Sequence, residues 1–125
     1  LHDVGAAAFR VLGADRPASW IGAPLQDIPV DDPSRAVLIE YHGHGTRASA
    51  YAIRKGKWKY IHAVAAPDQL FNLEADPDEL SDLSKARPDI VADLEAELLE
   101  ICSPEQENAR AEAFIEEQLA KIGHT

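Results

Sequence analysis

Two short segments of alternating apolar and polar residues, separated by a basic turn, constrain the fold of this chain most strongly. Both lie in the stretch EYHGHGTRASAYAIRKGKWKYIH, residues 40–62. The residues that share one side of each segment are Tyr51 and Ile53 in the first, and Trp58, Tyr60 and His62 in the second. A period of two is typical of half-buried strands, and the residues between them, 54–57, predict a hairpin turn. The hairpin therefore predicts an antiparallel sheet.

Further elements flank the hairpin on both sides. The apolar run AVLIEY, residues 36–41, predicts a strand before it, and QLFNLE, residues 69–74, predicts a strand after it. Apolar residues then recur at helical spacing from Pro88, and Ser103-Pro104 predicts the start of a second helix that Ser103 caps. Together these elements predict an α+β fold, in which a small four-stranded antiparallel sheet is covered by a C-terminal helix.

The first 35 residues do not fit this small unit well. Asp3 predicts the start of a short, weakly apolar helix that Gly13 ends, and a long loop rich in Pro, Asp and Gly follows. The loop carries apolar residues that need burial, so it is expected to be ordered. We therefore assign residues 1–35 to a neighbouring domain, residues 36–102 to the sheet and its helix, and residues 103–125 to a helical tail.

Charge and composition limit the classes of partner. The net charge of the 125 residues is -10 and the pI is near 4.8, which argues against binding to nucleic acid or to an anionic membrane. No apolar run reaches the roughly 20 residues of a membrane span. A soluble protein is expected, for which bacterial cytoplasm or periplasm is plausible. The single Cys102 allows no internal disulfide and is expected to be a buried thiol.

Three of the five histidines lie between residues 40 and 62. In an extended segment His42 and His44 point to the same side, and His62 could lie close on a neighbouring strand. Three neutral imidazoles could hold zinc, although no suitably placed Cys supports such a site. The alternative is that Gly43 and Gly45 form a tight or flexible loop, in which His42 and His44 serve a polar site and His62 is packed structurally.

Two charged runs and the serines have similarly divided interpretations. The basic run Arg54, Lys55, Lys57 and Lys59 could bind an anion, but it is more typical of the solvated side of a hairpin, with Lys57 and Lys59 simply exposed. The acidic string from residue 74 to 82 lacks the Gly and the final Glu of an EF-hand loop, so it predicts a turn. No serine lies in a G-x-S-x-G motif, which gives no support to serine hydrolase chemistry.

Three correlated elements in chain order resemble the C-terminal domain of type I sulfatases, in the alkaline phosphatase superfamily. Residues 54–61 match the hairpin pattern R-x-G-x-[WY]-K-[YLF]-I, residues 69–73 match [QE]-L-[FY]-[DN]-L, and residues 76–83 match D-P-x-E-x-x-[ND]-L. The beginning, LHDVGAAAFRVLGADRPASWIGAPLQDI, resembles the stretch that closes the family's α/β catalytic domain. The segment after residue 40 and the tail from Cys102 resemble arylsulfatase K-like and choline-sulfatase-like members.

This resemblance implies that the chemistry belongs to residues outside this sequence. Family catalysis uses a formylglycine, made from a C/S-x-P-x-R motif, and a calcium ion held by Asp and Asn side chains of the large domain. The sequence after Cys102 is not that motif. We therefore expect no catalytic residue, no metal ligand and no cofactor in this chain, and we expect the chain to pack on the catalytic domain and not to hydrolyse sulfate esters alone.

The resemblance also suggests a role for the histidine-rich loop. In this family the loop after the first strand of the C-terminal domain approaches the mouth of the active site. The substrate-binding candidates in the intact enzyme are Tyr41, His42, His44 and Arg47, with His42 foremost. A His or Arg at this place can hydrogen-bond the sulfate or carboxylate of a substrate, and Arg can do so through two bonds.

Two other classes of function stay open. The parent protein could hydrolyse phosphonate or phosphodiester bonds, as its superfamily permits. Alternatively, the chain could be a non-catalytic binding or oligomerisation module, because the polar last helix carries a thin apolar stripe of Ile115, Leu119 and Ile122 that favours docking on another surface, such as a second copy.

Overall fold

The computed structural model describes residues 2–30, 32–42 and 48–123, and it divides the chain into two compact units, Leu1–Pro33 and Ser34–Thr125. The assignment of residues 1–35, 36–102 and 103–125 to three regions stays a prediction. Among the described residues, no helix combines the length and the apolar character needed to cross a bilayer.

In the first unit, Trp20 ties the loop to the helix α1, His2–Leu12. Its indole Nε1 donates a hydrogen bond to the carbonyl oxygen of His2 at 2.8 Å, and its ring meets Phe9 edge to face at 5.7 Å between centroids. A Cβ at Gly5 would lie 2.4 Å from the indole, so only glycine allows this approach. Trp20 is thus partly buried against the helix, whereas Ile21 and Leu25 of the same loop are 83% and 50% exposed, so the expected burial of the loop's apolar residues holds only in part.

The start of α1 differs from the sequence prediction in one respect. The helix begins at His2, so Asp3 lies in its first turn and does not precede it. The Asp3 carboxylate accepts a hydrogen bond from the backbone N–H of Ala23 at 2.9 Å, which brings the loop back to the helix start. Gly22 makes this return possible, because a Cβ there would lie 2.3 Å from the carbonyl carbon of His2. The loop also contains a single 3-10 turn, Leu25–Asp27.

The second unit is the predicted α+β layer. Its antiparallel strands lie in the order β1 (Ala36–Tyr41), β2 (Ala50–Lys55), β3 (Trp58–Ala63) and β4 (Ala66–Asn72). Two helices follow, α2 (Pro88–Ile101) and α3 (Pro104–Ile122). The fold-class prediction is confirmed, although β4 begins and ends earlier than the predicted residues 69–74. Pro67 is tolerated inside β4 because that strand is at an edge of the sheet.

The core forms where one row of side chains crosses the sheet. The row consists of Leu38, Ile53, Tyr60 and Leu70, which are paired in register from β1 to β4. Leu94 and Leu98, one helical turn apart on α2, cover this row and are almost fully buried. Burying each leucine side chain stabilises the fold by about 1.5–3 kcal/mol. The hairpin between β2 and β3 closes through Gly56, whose φ of 53° favours glycine.

The segment 76–83 covers the outer edge of β4. The carboxylate of Asp82 accepts a hydrogen bond from the backbone N–H of Leu70 at 3.0 Å, and the N–H of Leu83 donates to the carbonyl oxygen of Leu70 at 2.8 Å. An edge strand with unpaired backbone groups is a site for unwanted pairing, so this cover protects the sheet. The third element of the sulfatase-like pattern therefore has a structural function.

Helix α3 begins at Pro104, as predicted, but Ser103 does not cap it through its side chain. No hydrogen bond joins the Ser103 side chain to the helix, and instead its carbonyl oxygen accepts from the N–H of Glu107 at 3.0 Å. The cap prediction was wrong in this detail, while the proline at the first helical position fits because its missing N–H is not needed there.

Candidate functional site

His42 follows the last residue of β1 and lies against β2. Its Nδ1 is hydrogen-bonded to the hydroxyl of Ser49 at 2.8 Å, and its ring meets Tyr51 edge to face at 5.5 Å between centroids. The side chain is otherwise exposed. Because Ser49 engages Nδ1, a ligand of His42 has to use Nε2.

Ser49 is held by two backbone hydrogen bonds. Its backbone N–H donates to the side-chain oxygen of Asn108 at 2.7 Å, and its carbonyl oxygen accepts from the N–H of Val64 at 3.1 Å. Asn108 lies on α3, is only 7% exposed, and donates through its amide nitrogen to Glu112 at 3.0 Å. The residue that orients His42 is therefore fixed by both the sheet and the C-terminal helix.

Tyr51 contacts the imidazole of His42 and forms a second hydrogen bond to α3. It is 1% exposed, and its hydroxyl donates to the carbonyl oxygen of Pro104 at 3.2 Å. Burial raises the pKa of Tyr51, so the phenol stays protonated as a donor. Two buried hydrogen bonds, each between residues more than 50 positions apart, thus attach the first turns of α3 to the start of β2.

The other predicted site residues have different positions. Tyr41 ends β1 and is half exposed. Its neighbour Glu40 is paired with Tyr51, the residue that His42 contacts, so Tyr41 lies on the opposite face of the sheet. Strand alternation therefore separates Tyr41 from the imidazole of His42. His44 and Arg47 lie outside the described residues, so their membership of the site stays a prediction.

His62 has two acidic neighbours and a structural role. Its Nδ1 is 2.9 Å from Oδ1 of Asp68, and its Nε2 is 3.8 Å from Oε1 of Glu105 on α3. The other carboxylate oxygen of Asp68 accepts a hydrogen bond from the hydroxyl of the buried Tyr60 at 2.7 Å. Asp68 thus joins β3 to β4, which agrees with the packed role predicted for His62.

Within residues 2–30, 32–42 and 48–123, no group of three or more His, Cys, Asp and Glu side chains could hold a metal ion. The three-histidine hypothesis includes His44, which lies outside those residues. The acidic string instead forms a turn. Asp76 accepts hydrogen bonds from the backbone N–H groups of Leu80 and Ser81, at 3.1 and 2.8 Å. Asp82 bonds to the N–H groups of Ser84 and Leu70, and these bonds lower its pKa.

Two of the four basic residues of the hairpin are paired with acids, which corrects one expectation. Lys59 is not simply exposed, because its ammonium lies 2.6 Å from a carboxylate oxygen of Glu79 and only 24% of its side chain is accessible. Lys55 pairs likewise with Glu97 of α2 at 2.8 Å. The ammonium of Lys57 lies 5.5 Å from the ring centre of Trp58, where cation–π attraction holds it. Lys55 and Lys59 therefore serve the fold, whereas Lys57 is exposed as predicted.

Cys102 packs against the core between α2 and α3 and is half-buried. Burial, followed by the nearby charges of Glu40 and Glu107, raises the pKa of its thiol and keeps it unreactive. The residues from Cys102 to Pro104 share the first three positions of the formylglycine motif, but Gln106 occupies the position of its arginine. The structural role predicted for this thiol agrees with its packing.

Comparison with known proteins decides the family. The chain is 51% identical over 49 residues to a choline-sulfatase of Rhizobium meliloti (strain 1021), a match that covers 39% of this chain and 10% of that protein. It is 33% identical over 88 residues to arylsulfatase K of Bos taurus, covering 68% of this chain and 16% of that protein. No protein-family profile matches the sequence. The chain is a C-terminal region of a sulfatase.

Solved structures share the fold of this sulfatase region. A protein described as a sulfatase from Bacteroides thetaiotaomicron VPI-5482 superposes with a TM-score of 0.67 at 20% identity, over 88% of this chain and 24% of that chain. The phosphonate monoester hydrolase of Agrobacterium radiobacter superposes with a TM-score of 0.60 at 18% identity, over 78% and 23%. The sulfatase region thus spans a quarter or less of each of these four proteins.

Sequence reasoning missed the residues that hold His42. Ser49 was considered only as a nucleophile, and Asn108 was one polar residue in a polar helix. The available signal was weak, because an Asn in the second turn of α3 is as compatible with a buried face of the helix as with a solvated one. Their pairing spans 59 positions, and a local pattern contains no information on such a contact.

Proposed function

We propose that this region belongs to an enzyme that hydrolyses sulfuric esters, and that it shapes the substrate entrance without catalysing the reaction by itself. The observation that carries the proposal is the sequence identity to choline-sulfatase over 49 residues and to arylsulfatase K over 88 residues. His42 supplies the chemistry for this role, because a protonated Nε2–H can donate to an oxygen of a sulfate or carboxylate.

The reacting groups are provided by the rest of the enzyme. Calcium and formylglycine are implied by the family, but the described residues contain no metal-binding group and the sequence after Cys102 departs from the modification motif. In the catalytic domain, bound calcium would supply charge neutralisation, and formylglycine, a modified residue of that domain, would supply the nucleophile. The residues of this region would bind and orient the substrate.

Packing on the catalytic domain requires an apolar surface, and the sheet has one. Val37, Ile39 and Tyr41 alternate along β1 on the face opposite α2, and each is about half exposed. We propose that this face contacts the catalytic domain, because an apolar face of a sheet is stabilised by burial against another layer. In the full-length protein, Ile39→Asp should reduce the soluble yield severely, while the more exposed control Leu80→Asp should not. Equal yields would contradict this packing.

The activity itself is tested with the full-length protein. We expect the full-length protein to hydrolyse 4-nitrophenyl sulfate. The isolated region should show no turnover of the same ester. Preferential turnover of a phenyl phosphonate monoester would instead support the second candidate, a phosphonate hydrolase, which the fold shared with the Agrobacterium radiobacter enzyme favours. Sulfate-ester turnover by the isolated region would overturn the non-catalytic role.

A binding or oligomerisation module is also supported by one observation. Ile115, Leu119 and Ile122 on α3 are 52%, 62% and 71% exposed, and they recur at helical spacing. We propose that a second copy of the chain covers this stripe. Light scattering should then give a dimer mass that Leu119→Lys reduces to a monomer mass, whereas a monomer in both cases would remove this proposal.

A further inference from the structure

We propose that the first turns of α3 position the substrate-binding imidazole, and that Asn108 is a positioning residue for His42. This inference rests on the proposed role of His42 and adds to it, because it assigns part of the site to the C-terminal helix. The helix would otherwise be only a tail or a docking surface.

The first step is the bond between Asn108 and Ser49. Both residues are buried, at 7% and 3% exposure, and the N–H of Ser49 lies 2.7 Å from the amide oxygen of Asn108. The orientation of the amide is defined, because its nitrogen donates to Glu112 and its oxygen must therefore face Ser49. A buried backbone donor needs a partner, so the position of α3 fixes the backbone of Ser49.

The second step is the bond between Ser49 and His42. The carbonyl of Ser49 is held by Val64, so the residue is fixed at its N–H and at its C=O, and its hydroxyl can reach only a limited volume. That hydroxyl meets Nδ1 of His42 at 2.8 Å. A hydroxyl both donates and accepts, so Ser49 can hold the ring in its neutral and in its protonated form.

The third step is the second attachment of α3. Tyr51 stacks edge to face on His42 and donates to the carbonyl of Pro104, the first residue of the helix. The titratable groups that act on Tyr51 are Cys102, Glu40 and Glu107, and Glu112 on α3 accepts a hydrogen bond from Asn108. Ser49 and Tyr51, which contact His42, are therefore themselves bonded to α3.

The test uses Asn108→Ala in the full-length enzyme with 4-nitrophenyl sulfate as the probe. We expect KM to rise roughly threefold to tenfold with kcat within about twofold, because misplaced binding groups weaken binding more than chemistry. The double variant His42→Ala/Asn108→Ala should be no worse than His42→Ala alone, since Asn108 acts through His42. Additive losses, or an unchanged KM together with an unmoved ring signal of His42, would overturn the proposal. Gln118→Ala, further along α3, is the matched control.

A rescue separates positioning from simple damage. In Asn108→Asp/Glu112→Gln the carboxylate keeps an acceptor for the N–H of Ser49, and the new Gln donates to it, so the bond pattern is restored with the donor reversed. We expect KM to return to within about twofold of the parent value. If Asn108→Ala prevents folding, Ser49→Ala takes its place as the test. This variant removes only a hydroxyl, and we expect it to raise KM roughly threefold to tenfold.

A ligand-free measurement distinguishes failure of this inference from failure of the proposed function. In the NMR spectrum of this chain, the ring protons of His42 should be shifted by the ring current of Tyr51, and Asn108→Ala should move them towards free-histidine values while His62 stays unchanged. A moved His42 signal with an unchanged KM would support positioning and refute the substrate role. An unmoved His42 signal would refute positioning, whatever the KM.

Discussion

His42 and His62 lie near the same strands and the same helix, but their surroundings differ in charge. His62 has a carboxylate at 2.9 Å and another at 3.8 Å, and only 19% of its side chain is accessible. His42 is exposed, and its partner at 2.8 Å is the neutral hydroxyl of Ser49. A positive charge on His62 is satisfied inside the fold, whereas Ser49 orients the ring of His42 without neutralising it. The comparison separates a histidine that serves stability from one suited to bind an anion.

The largest effect on stability is expected at the carboxylate that His62 uses. Asp68→Ala removes the partner of His62 and also leaves the hydroxyl of the fully buried Tyr60 without its acceptor. Losing the partner of a buried polar group costs about 1–3 kcal/mol. Urea unfolding should therefore show a decrease of about 2–3 kcal/mol in the free energy of unfolding. A decrease no larger than that of the exposed control Asp78→Ala would break the comparison.

The second prediction compares the histidines directly. His62→Ala should lower the free energy of unfolding by about 1–2 kcal/mol, because it removes a hydrogen bond to a charged group and packing beside α3. His42→Ala should lower it by less than about 0.5 kcal/mol, as expected for an exposed side chain. Thermal and urea unfolding of both variants would check this order. The reverse order would mean that His42, and not His62, stabilises the fold.

The acids beside β4 give the fold a dependence on pH. Two backbone N–H bonds, from Ser84 and from Leu70, lower the pKa of Asp82 below that of an unfolded Asp. Its stabilisation is therefore complete above the unfolded pKa of about 3.9 and is lost as the pH falls through the lower folded pKa. Melting temperatures between pH 5 and pH 2 should fall more steeply for the parent than for Asp82→Asn. Parallel curves would exclude this contribution.

The smallest effect is expected for the paired lysines of the hairpin. Lys55 and Glu97 are both partly exposed, and such ion pairs contribute about 0.2–1 kcal/mol. A double-variant cycle with Lys55→Gln and Glu97→Gln should give a coupling energy in this range that decreases in 0.5 M salt. Zero coupling at low salt would show that the Lys55–Glu97 pair does not contribute to the fold.

Local patterns were enough for most of the fold. Alternation around Gly56, the run at residues 36–41 and the helical spacing after Pro88 predicted the sheet and α2, since each depends on neighbours in sequence. The resemblance to sulfatases agrees with the relatives that the chain matches. The site was less accessible to sequence reasoning. His42 was proposed, but the Ser49–Asn108 bond depends on how α3 returns to β2, which no pattern of apolar residues specifies.

The most direct test of this account is the steady-state kinetics of His42→Ala in the full-length enzyme with 4-nitrophenyl sulfate, measured beside His62→Ala at a temperature where both are folded. The account predicts that kcat/KM falls about tenfold for His42→Ala, mainly through KM, because one charge-assisted hydrogen bond to the substrate is lost. It predicts a change of less than about twofold for His62→Ala. An unchanged kcat/KM for His42→Ala would contradict the assignment of this end of the sheet to substrate binding.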